Sequence, residues 1–490
     1  MPFLQRLIES AENTERLSRF INSNSVELND YFISQSYSSI YENNDDLSSF
    51  ILRKFSVIQK LDFAENKNSA FLFCLLDFSE RFGLHTEFQQ LFSLAKIKNV
   101  DIGHRLTAAS KFLIGIKRLS DYNDRIDAIL ENLSESYLLE EDSSEKVICT
   151  LTHFYIEVFN NFGRSNKNGV LQFRSDLNAK LSNNNIRYLY PEYLREILQL
   201  SIDNIDELYI NIHQRIDAIL ERTTELIDFN ESDHIIETDT DYVISLRGVS
   251  PNFLEIRNLC ARLYSQVSSD DIFYSLQRGV SILSEENQLL AYMKSYGNMH
   301  YSKLKSAFLE LPPLINETKY ELIDWGCGQG IASICFLEHF LTNNLSNSIS
   351  RSTLIEPSEI ALKRASLHLR KYTNSTEILT INKTLDLLQA NDLVTSSNSI
   401  KIQLFSNILD IDFFNMQNLL ELIKNNFDNK NVFIIVSPHI SDQKTQRIDD
   451  FVDSFKQYPN FKLMTSKTER KGQWQGTNWS RVIRVFEVDL

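Results

Sequence analysis

The sequence predicts an α plus α/β protein: a helical N-terminal array or bundle, then a seven-stranded, largely parallel sheet whose last strand runs antiparallel. Three observations carry this. Apart from Pro2, no proline occurs before Pro191, and apolar residues there recur at helical spacing, so long helices are permitted. From Tyr320 onward short apolar runs alternate with helical patterns, as in parallel strands joined by crossover helices. The final two apolar runs have only a loop between them, which suits an antiparallel pair.

Length and charge bound the rest. A chain of 490 residues exceeds a single core and implies two or three domains. No run approaches the roughly 18 apolar residues of a membrane span. The segment Met1–Ser10 carries an early acid and no cleavage pattern, so no signal peptide is expected and a cytoplasmic location is. Cys74, Cys149, Cys260, Cys327 and Cys335 form no C-x-x-C pair, which points to a reducing setting and to no metal site. The net charge of −15 is lopsided. Residues 301–490 carry 21 Lys+Arg and 21 Asp+Glu; subtracting these from totals of 50 and 65 leaves 29 and 44 for residues 1–300. A polyanion would therefore meet the C-terminal part.

Taken in order, helical faces are expected at 48–61, 68–80, 86–97, 104–119, 123–133, 145–162 and 192–220. Loop signals separate them at 65–68, Gly83, Gly103 and 163–169. No fixed repeat period recurs, so no named repeat family is implied, and an irregular stack of helix pairs is the alternative to a bundle. Residues 228–245 are acidic and rich in turn formers and read as a connector, with a short hairpin at Ile235–Ile236 and Tyr242–Ile244. Helical pattern resumes from Pro251 to Phe308. The expected domains are thus 1–222 (helical), 223–290 (connector and helices) and 291–490 (α/β).

In the last domain, strands fit at 320–325, 352–356, 376–381, 401–406, 431–436, 461–466 and 481–488. Helices fit at 331–342, 358–371, 384–390, 412–426 and 444–457, and a loop at 468–480. The first strand ends in Asp324-Trp-Gly326-Cys327-Gly328-Gln-Gly330. Three of the chain's 13 glycines fall within the five positions 326–330. Such a cluster needs a backbone reason, namely a tight strand-to-helix turn that lets a ligand approach the amides and the following helix N-terminus. The second strand ends in Glu356-Pro357, one βαβ step later, and a carboxylate there can accept hydrogen bonds from both hydroxyls of a ribose.

The spacing is G-x-G-x-G rather than the dinucleotide fingerprint G-x-G-x-x-G. With Asp324 two positions before the first glycine and Glu356 closing the next strand, the stretch resembles class I S-adenosylmethionine (SAM)-dependent methyltransferases. The resemblance covers roughly residues 290–490 and implies a seven-stranded Rossmann-like methyltransferase domain with SAM as cofactor. It implies Asp324, Gly326, Cys327, Gly328 and Gly330 around the amino-acid end of SAM. Glu356 and Pro357 would lie at the ribose and Asn382 near the adenine edge. In the crowded segment before the first strand, Tyr296 or His300 would cover the methionine end; the alternative there is a packed helix.

Ligands of such sheets bind beyond the strand C-termini. The fourth strand ends at Asn407-Ile-Leu-Asp410, which in the resembling family faces the reactive methyl. The [Asp/Asn]-Pro-Pro-aromatic pattern of amino-methylating enzymes is absent, so the acceptor stays open. Asn407 or Asp410 would orient the acceptor and Asp410 would accept its proton, or Asp410 caps the next helix. His439, after the fifth strand, is a candidate base or a structural histidine. Arg470, Lys471, Trp474 and Trp479 lie in the expected last loop, where cations and tryptophans suit phosphates and bases, or the tryptophans pack on the sheet. The implied function is methyl transfer to an RNA or protein acceptor. The competing class is a catalytically silent SAM sensor or scaffold whose helical region binds a protein partner.

Overall fold

Why the first unit is helical follows from its buried faces. The computed structural model describes residues 2–33, 40–139, 144–202, 205–220, 241–279, 281–311, 319–343, 349–373, 376–412, 414–474 and 476–490. It divides into two units, Met1–Thr223 with Ile440–Gln446, and Thr224–His439 with Arg447–Leu490. The first unit contains α1 (Phe3–Ser10), α2 (Thr14–Ser23), α3 (Ser25–Ile33), α4 (Ile40–Ile58), α5 (Asn66–Arg81), α6 (His85–Lys98), α7 (Gly103–Leu113), α8 (Leu119–Leu139), α9 (Ser144–Phe162), α10 (Lys167–Leu181), α11 (Glu192–Ile197) and α12 (Ile205–Leu220). Asn13 starts α2 by accepting the Arg16 amide at 2.9 Å, and Asn166 does so for α10. Helix α9 is buried on all sides and forms the axis of the unit. Two expected helices are each divided. The 104–119 pattern breaks at Gly115, whose φ is +71°, and the 192–220 pattern splits into α11 and α12. Helices α1 to α3 and α10 were not anticipated.

A buried polar network ties α5, α7 and α9 together. The Arg105 guanidinium reaches Glu80 at 3.2 Å and Thr150 at 3.1 Å and pairs with Asp77, while Glu80 bonds His153 at 2.9 Å. Burial pushes the Asp77 carboxyl up, but Lys146, Arg105 and Arg81 outweigh it and hold it well below the usual range.

The second unit begins with α13 (Asp241–Arg247), α14 (Phe253–Tyr264), α15 (Asp270–Ser275) and the long α16 (Glu286–Phe308). The expected hairpin is corrected here: Tyr242–Ile244 lies in α13, where Tyr242, Val243 and Leu246 bury one helical face; its other arm lies outside the described residues. Then follow β1 (Tyr320–Trp325), α17 (Ile331–Thr342), β2 (Ile349–Ile355), α18 (Glu359–Tyr372), β3 (Glu377–Ile381), β4 (Ile400–Ser406), α19 (Met416–Asn426), β5 (Lys430–Ser437), α20 (Asp442–Asp453), β6 (Lys462–Trp474) and β7 (Thr477–Asp489).

The seven strands form one sheet in the order β3-β2-β1-β4-β5-β7-β6, with β1 to β5 parallel and β7 antiparallel to both β5 and β6. This is the seven-stranded Rossmann-like sheet with an antiparallel last strand that the sequence predicts. Alternation along the strands gives it two different faces. Leu322, Leu404, Ile434 and Ile483 belong to the aliphatic core shared with α16, α17 and α18. Trp325, Phe405, Phe433 and Phe486 form an aromatic layer on the other face, joined by Phe451 and Phe455 of α20 and its end.

Two further expectations are corrected. The helix expected at 384–390 is two short 3-10 turns, Leu385–Leu387 and Ala390–Asp392, the second closed by the Asp392 carboxylate accepting the Gln389 amide at 2.7 Å. The expected loop at 468–480 is instead the continuation of β6 and β7 into a long hairpin. A hydroxylic and basic run carries no apolar alternation, yet an edge ribbon needs none on its wet side.

Candidate functional site

The glycine turn is built by steric need. Gly326, Gly328 and Gly330 have φ of +66°, +52° and +75°, a region where a side chain costs roughly 1–2 kcal/mol. Their surroundings differ. A Cβ at Gly326 would come within 2.7 Å of Ile408, and one at Gly330 within 3.1 Å of Ala365 on α18. A Cβ at Gly328 would meet nothing within 4 Å. Two glycines therefore serve close packing, and the middle one borders open space at the mouth of the turn. Cys327 donates its amide to Ile355 at 2.9 Å and buries its thiol. Burial, with the Asp324 and Glu356 charges, pushes that thiol well up, which makes it inert.

Glu356 stands at the end of β2 beside the turn. Its Oε2 accepts the Gly328 amide and its Oε1 the Ser358 amide, each at 3.0 Å. The residue is half-buried. Burial raises its pKa and the Ser358 and Gly328 amides pull it back. Asn382 braces this corner by donating to the carbonyls of Glu356 and Pro357, both at 2.9 Å. Asp324 is fully buried at the end of β1. Its Oδ2 accepts from Ser333 at 2.5 Å, while Oδ1 has no hydrogen-bond partner among the described residues. Burial pushes its carboxyl up to about 7, against the Ser333 bonds and with a contribution from Glu356.

Helix α16 and the segment before it are pinned to three strand ends. The Leu283 carbonyl accepts from Ser358 at 2.5 Å, and the Leu289 carbonyl accepts from the Gln329 side chain at 3.0 Å. At the end of β4, Asn407 donates to His300 Nδ1 at 2.8 Å and accepts from the Lys303 ammonium, which is buried. His300 Nε2 then lies 3.3 Å from the Tyr292 hydroxyl, and the two rings stack at 5.9 Å. Burial and the Lys303 charge hold His300 well below its ordinary pKa, so it is neutral. Its Nδ1 accepts from an amide, so Nε2 carries the proton and donates to Tyr292. Asn407 itself has φ of +56°. Tyr296 is half-buried and stacks 6.3 Å from Phe273.

The other candidates are distributed as follows. Asp410 is buried in the loop after β4, and the next helix begins at Met416 with Asn415, not Asp410, accepting the Asn418 amide at 2.8 Å. Arg447 holds that loop through the carbonyls of Leu409 and Phe414. His439 is half-buried, and its backbone exchanges hydrogen bonds with Ser480 Oγ at 3.2 and 3.1 Å. Arg470 and Lys471 are exposed on the β6–β7 hairpin. Trp479 is buried under the Arg481 guanidinium at 4.2 Å. Trp474 ends β6, and its side chain lies outside the described residues. The structure thus brings Asp324, the glycines, Glu356, Asn382, Asn407, His300 and α16 to one edge.

Sequence reasoning missed several supports. Lys303 and Tyr292 lie in the crowded segment before the first strand without marking themselves out there, and Ser333 and Ser358 carried no local signal. Nor did His368, whose Nδ1 bonds the Gln329 carbonyl at 2.9 Å and whose Nε2 meets Tyr242 at 2.8 Å. Burial and Arg364 lower His368 to about 3, which fixes it as neutral. Only the excess of buried polar residues on α16 and α18 could have flagged them.

No protein-family model matches the chain, and no curated protein does. Solved structures match parts of the chain. A putative class I SAM-dependent methyltransferase from Listeria monocytogenes is 10% identical, with a TM-score of 0.27, 65% of this chain and 87% of that chain covered. An rRNA methylase from Streptococcus thermophilus is 16% identical, with a TM-score of 0.24 and coverage of 39% and 96%. A SAM-dependent methyltransferase from Leishmania major is 10% identical, with a TM-score of 0.28 and coverage of 46% and 90%. Among the described residues no helix is long and apolar enough to cross a membrane.

Proposed function

We propose that the second unit binds S-adenosylmethionine and transfers its methyl group to an RNA or protein acceptor. The observation that carries this is the pairing of Gly328, whose Cα borders open space, with the Glu356 carboxylate that accepts its amide. Asp324 adds a buried oxygen lacking a donor, the partner an amino-acid ammonium would complete. The residues therefore fit the cofactor. Asp324 and the turn amides at the start of α17 would hold its amino-acid end. Glu356 would hold the ribose diol, and Asn382 and Pro357 would shape the adenine side. Tyr296 and α16 would cover the pocket.

When bound, the cofactor supplies an electrophilic methyl on a sulfonium. The chain's own task is then to position an acceptor and exclude water. Asn407 is held in one orientation by His300 and Lys303, so it sets the shape of the acceptor side rather than moving a proton. Asp410 and His439 are the groups left to accept one. The test is calorimetric titration with SAM, followed by a screen of tritiated SAM against cell RNA, DNA and protein fractions. Tight binding with label in one fraction is expected. Absence of cofactor binding would end this reading, and binding without any label would favour the sensor or scaffold.

A further inference from the structure

The pairing register turns the last hairpin into an arm beside this site. β5 pairs with β7 from Lys430–Asp489 to Ser437–Val482. β7 starts at Thr477, so residues 477–481 pair with β6 alone. They rise past the end of β5 by roughly 17 Å at about 3.4 Å per residue. Since β5 runs parallel to β1 and β4, this is the edge that carries the glycine turn. The tip is moored to α16, the helix that covers the site, by Asn298 donating to Thr477 at 2.8 Å.

The arm is braced from within. Trp479 lies opposite Gly472, where a Cβ would sit 1.9 Å from the indole. Arg481 covers the same ring, pairs with Glu469 and donates to Ser306 at 2.5 Å. Trp479 is therefore a strut, not a platform for a ligand. Between Glu469 and Gly472 the register shifts by one residue, so that Arg470 and Lys471, both exposed, together stand opposite Ser480. Bulges re-aim side chains in this way, often near active sites.

Charge and donor chemistry indicate the occupant. Residues 466–481 hold four Lys+Arg and one Glu, a net +3, in a chain of −15. Ser466, Thr468, Gln473 and Asn478 on the same ribbon are exposed hydrogen-bond donors. Cations mixed with hydroxyl and amide donors are what phosphate and sugar contacts use. A base atom to be methylated at a sheet edge must also leave its stack. We infer that the β6–β7 arm grips the phosphodiester backbone of a single-stranded nucleic acid and holds it as the methyl acceptor. This rests on the methyltransferase reading for its chemistry, but not for its test.

The test is fluorescence anisotropy of the full chain with a fluorescein-labelled, mixed-sequence RNA of about 20 nucleotides across a salt series. Two phosphate contacts give a slope of about −1.4 in log affinity against log salt. The double substitution Arg470→Glu with Lys471→Glu is expected to lose at least tenfold at low salt and to flatten the slope. Lys462→Glu, at the far end of β6 opposite Glu487, is expected to stay within threefold. Titration of the double variant with S-adenosylhomocysteine, at wild-type affinity, shows that the site survives. No RNA binding by the wild type, an equal loss in the Lys462 variant, or equal displacement by polyglutamate would each overturn the inference. In all three cases cofactor binding is read separately and stands or falls alone.

Discussion

Removing the Glu356 carboxylate is the sharpest perturbation of the proposed pocket. Each of its oxygens accepts one backbone amide at 3.0 Å. A carboxylate offers about four acceptor positions, so about two remain for a ribose diol. A hydrogen bond to a charged group contributes about 1.5–3 kcal/mol. Losing two gives about 3–6 kcal/mol, or roughly 10²–10⁴ in affinity. Glu356→Ala should show this loss by calorimetry with S-adenosylhomocysteine. Glu356→Gln retains one acceptor and turns an amide donor toward a backbone N–H, so its loss should be smaller, about tenfold or more. The half-buried Gly328 amide would gain water in the alanine variant at a cost of about 1 kcal/mol, whereas the buried Ser358 amide would lose its acceptor at about 1–3 kcal/mol. A folded alanine variant within threefold of wild type would refute the ribose assignment.

Two other expectations follow from the turn. Gly328→Ala should weaken S-adenosylhomocysteine at least tenfold at a stability cost of the left-handed strain alone, about 1–2 kcal/mol, because its Cβ points into open space. Gly330→Ala should lower stability by about 2–4 kcal/mol, because left-handed strain adds to a contact at 3.1 Å from Ala365; the reverse ranking in thermal melts and calorimetry would contradict the geometry. Asp324 sets a pH dependence. Its carboxyl stands at about 7 in the free protein, and a ligand ammonium would return it to the ordinary range. Affinity should therefore rise by up to tenfold per pH unit toward 7 and then level off, and Asp324→Asn should flatten the curve. Free-protein stability has the opposite sign. A carboxyl raised on folding contributes fully below its unfolded value of about 4, and that stability is lost as pH climbs to about 7.

What could be read from the chain differs by residue. The glycine turn and Glu356 were legible because their demands are local: left-handed backbone admits few residues other than glycine, and a strand end exposes its last side chain. The parallel strands were legible because both faces are buried and so their runs are continuously apolar. The arm was not, since β6 is an edge strand of Lys, Thr and Ser whose partner supplies the order. Nor was the clamp on α16, because Lys303 and Asn407 are 104 residues apart. Nothing near either one announces the other. Similarly, the 3-10 turns at 385–392 follow from the Asp392–Gln389 bond, which competes with a helix only in context.

The clamp also decides how a pH profile should be interpreted. His300 would ordinarily be the group suspected in any change between pH 5 and 8. Here burial and the Lys303 ammonium hold it well below its ordinary pKa, and its two nitrogens are already assigned, one accepting from Asn407 and one donating to Tyr292. Protonating Nδ1 would set a donor against the Asn407 amide and add a cation beside Lys303. The clamp therefore stays closed through the range in which Asp324 titrates. A change in cofactor affinity near pH 7 then belongs to the carboxyl beneath the glycine turn, and one that survived in Asp324→Asn would have to arise from Glu356, whose pKa burial also raises. If it vanished instead in His300→Gln while Asp324→Asn kept it, the neutral tautomer assigned to His300 would be wrong, and with it the fixed orientation of Asn407.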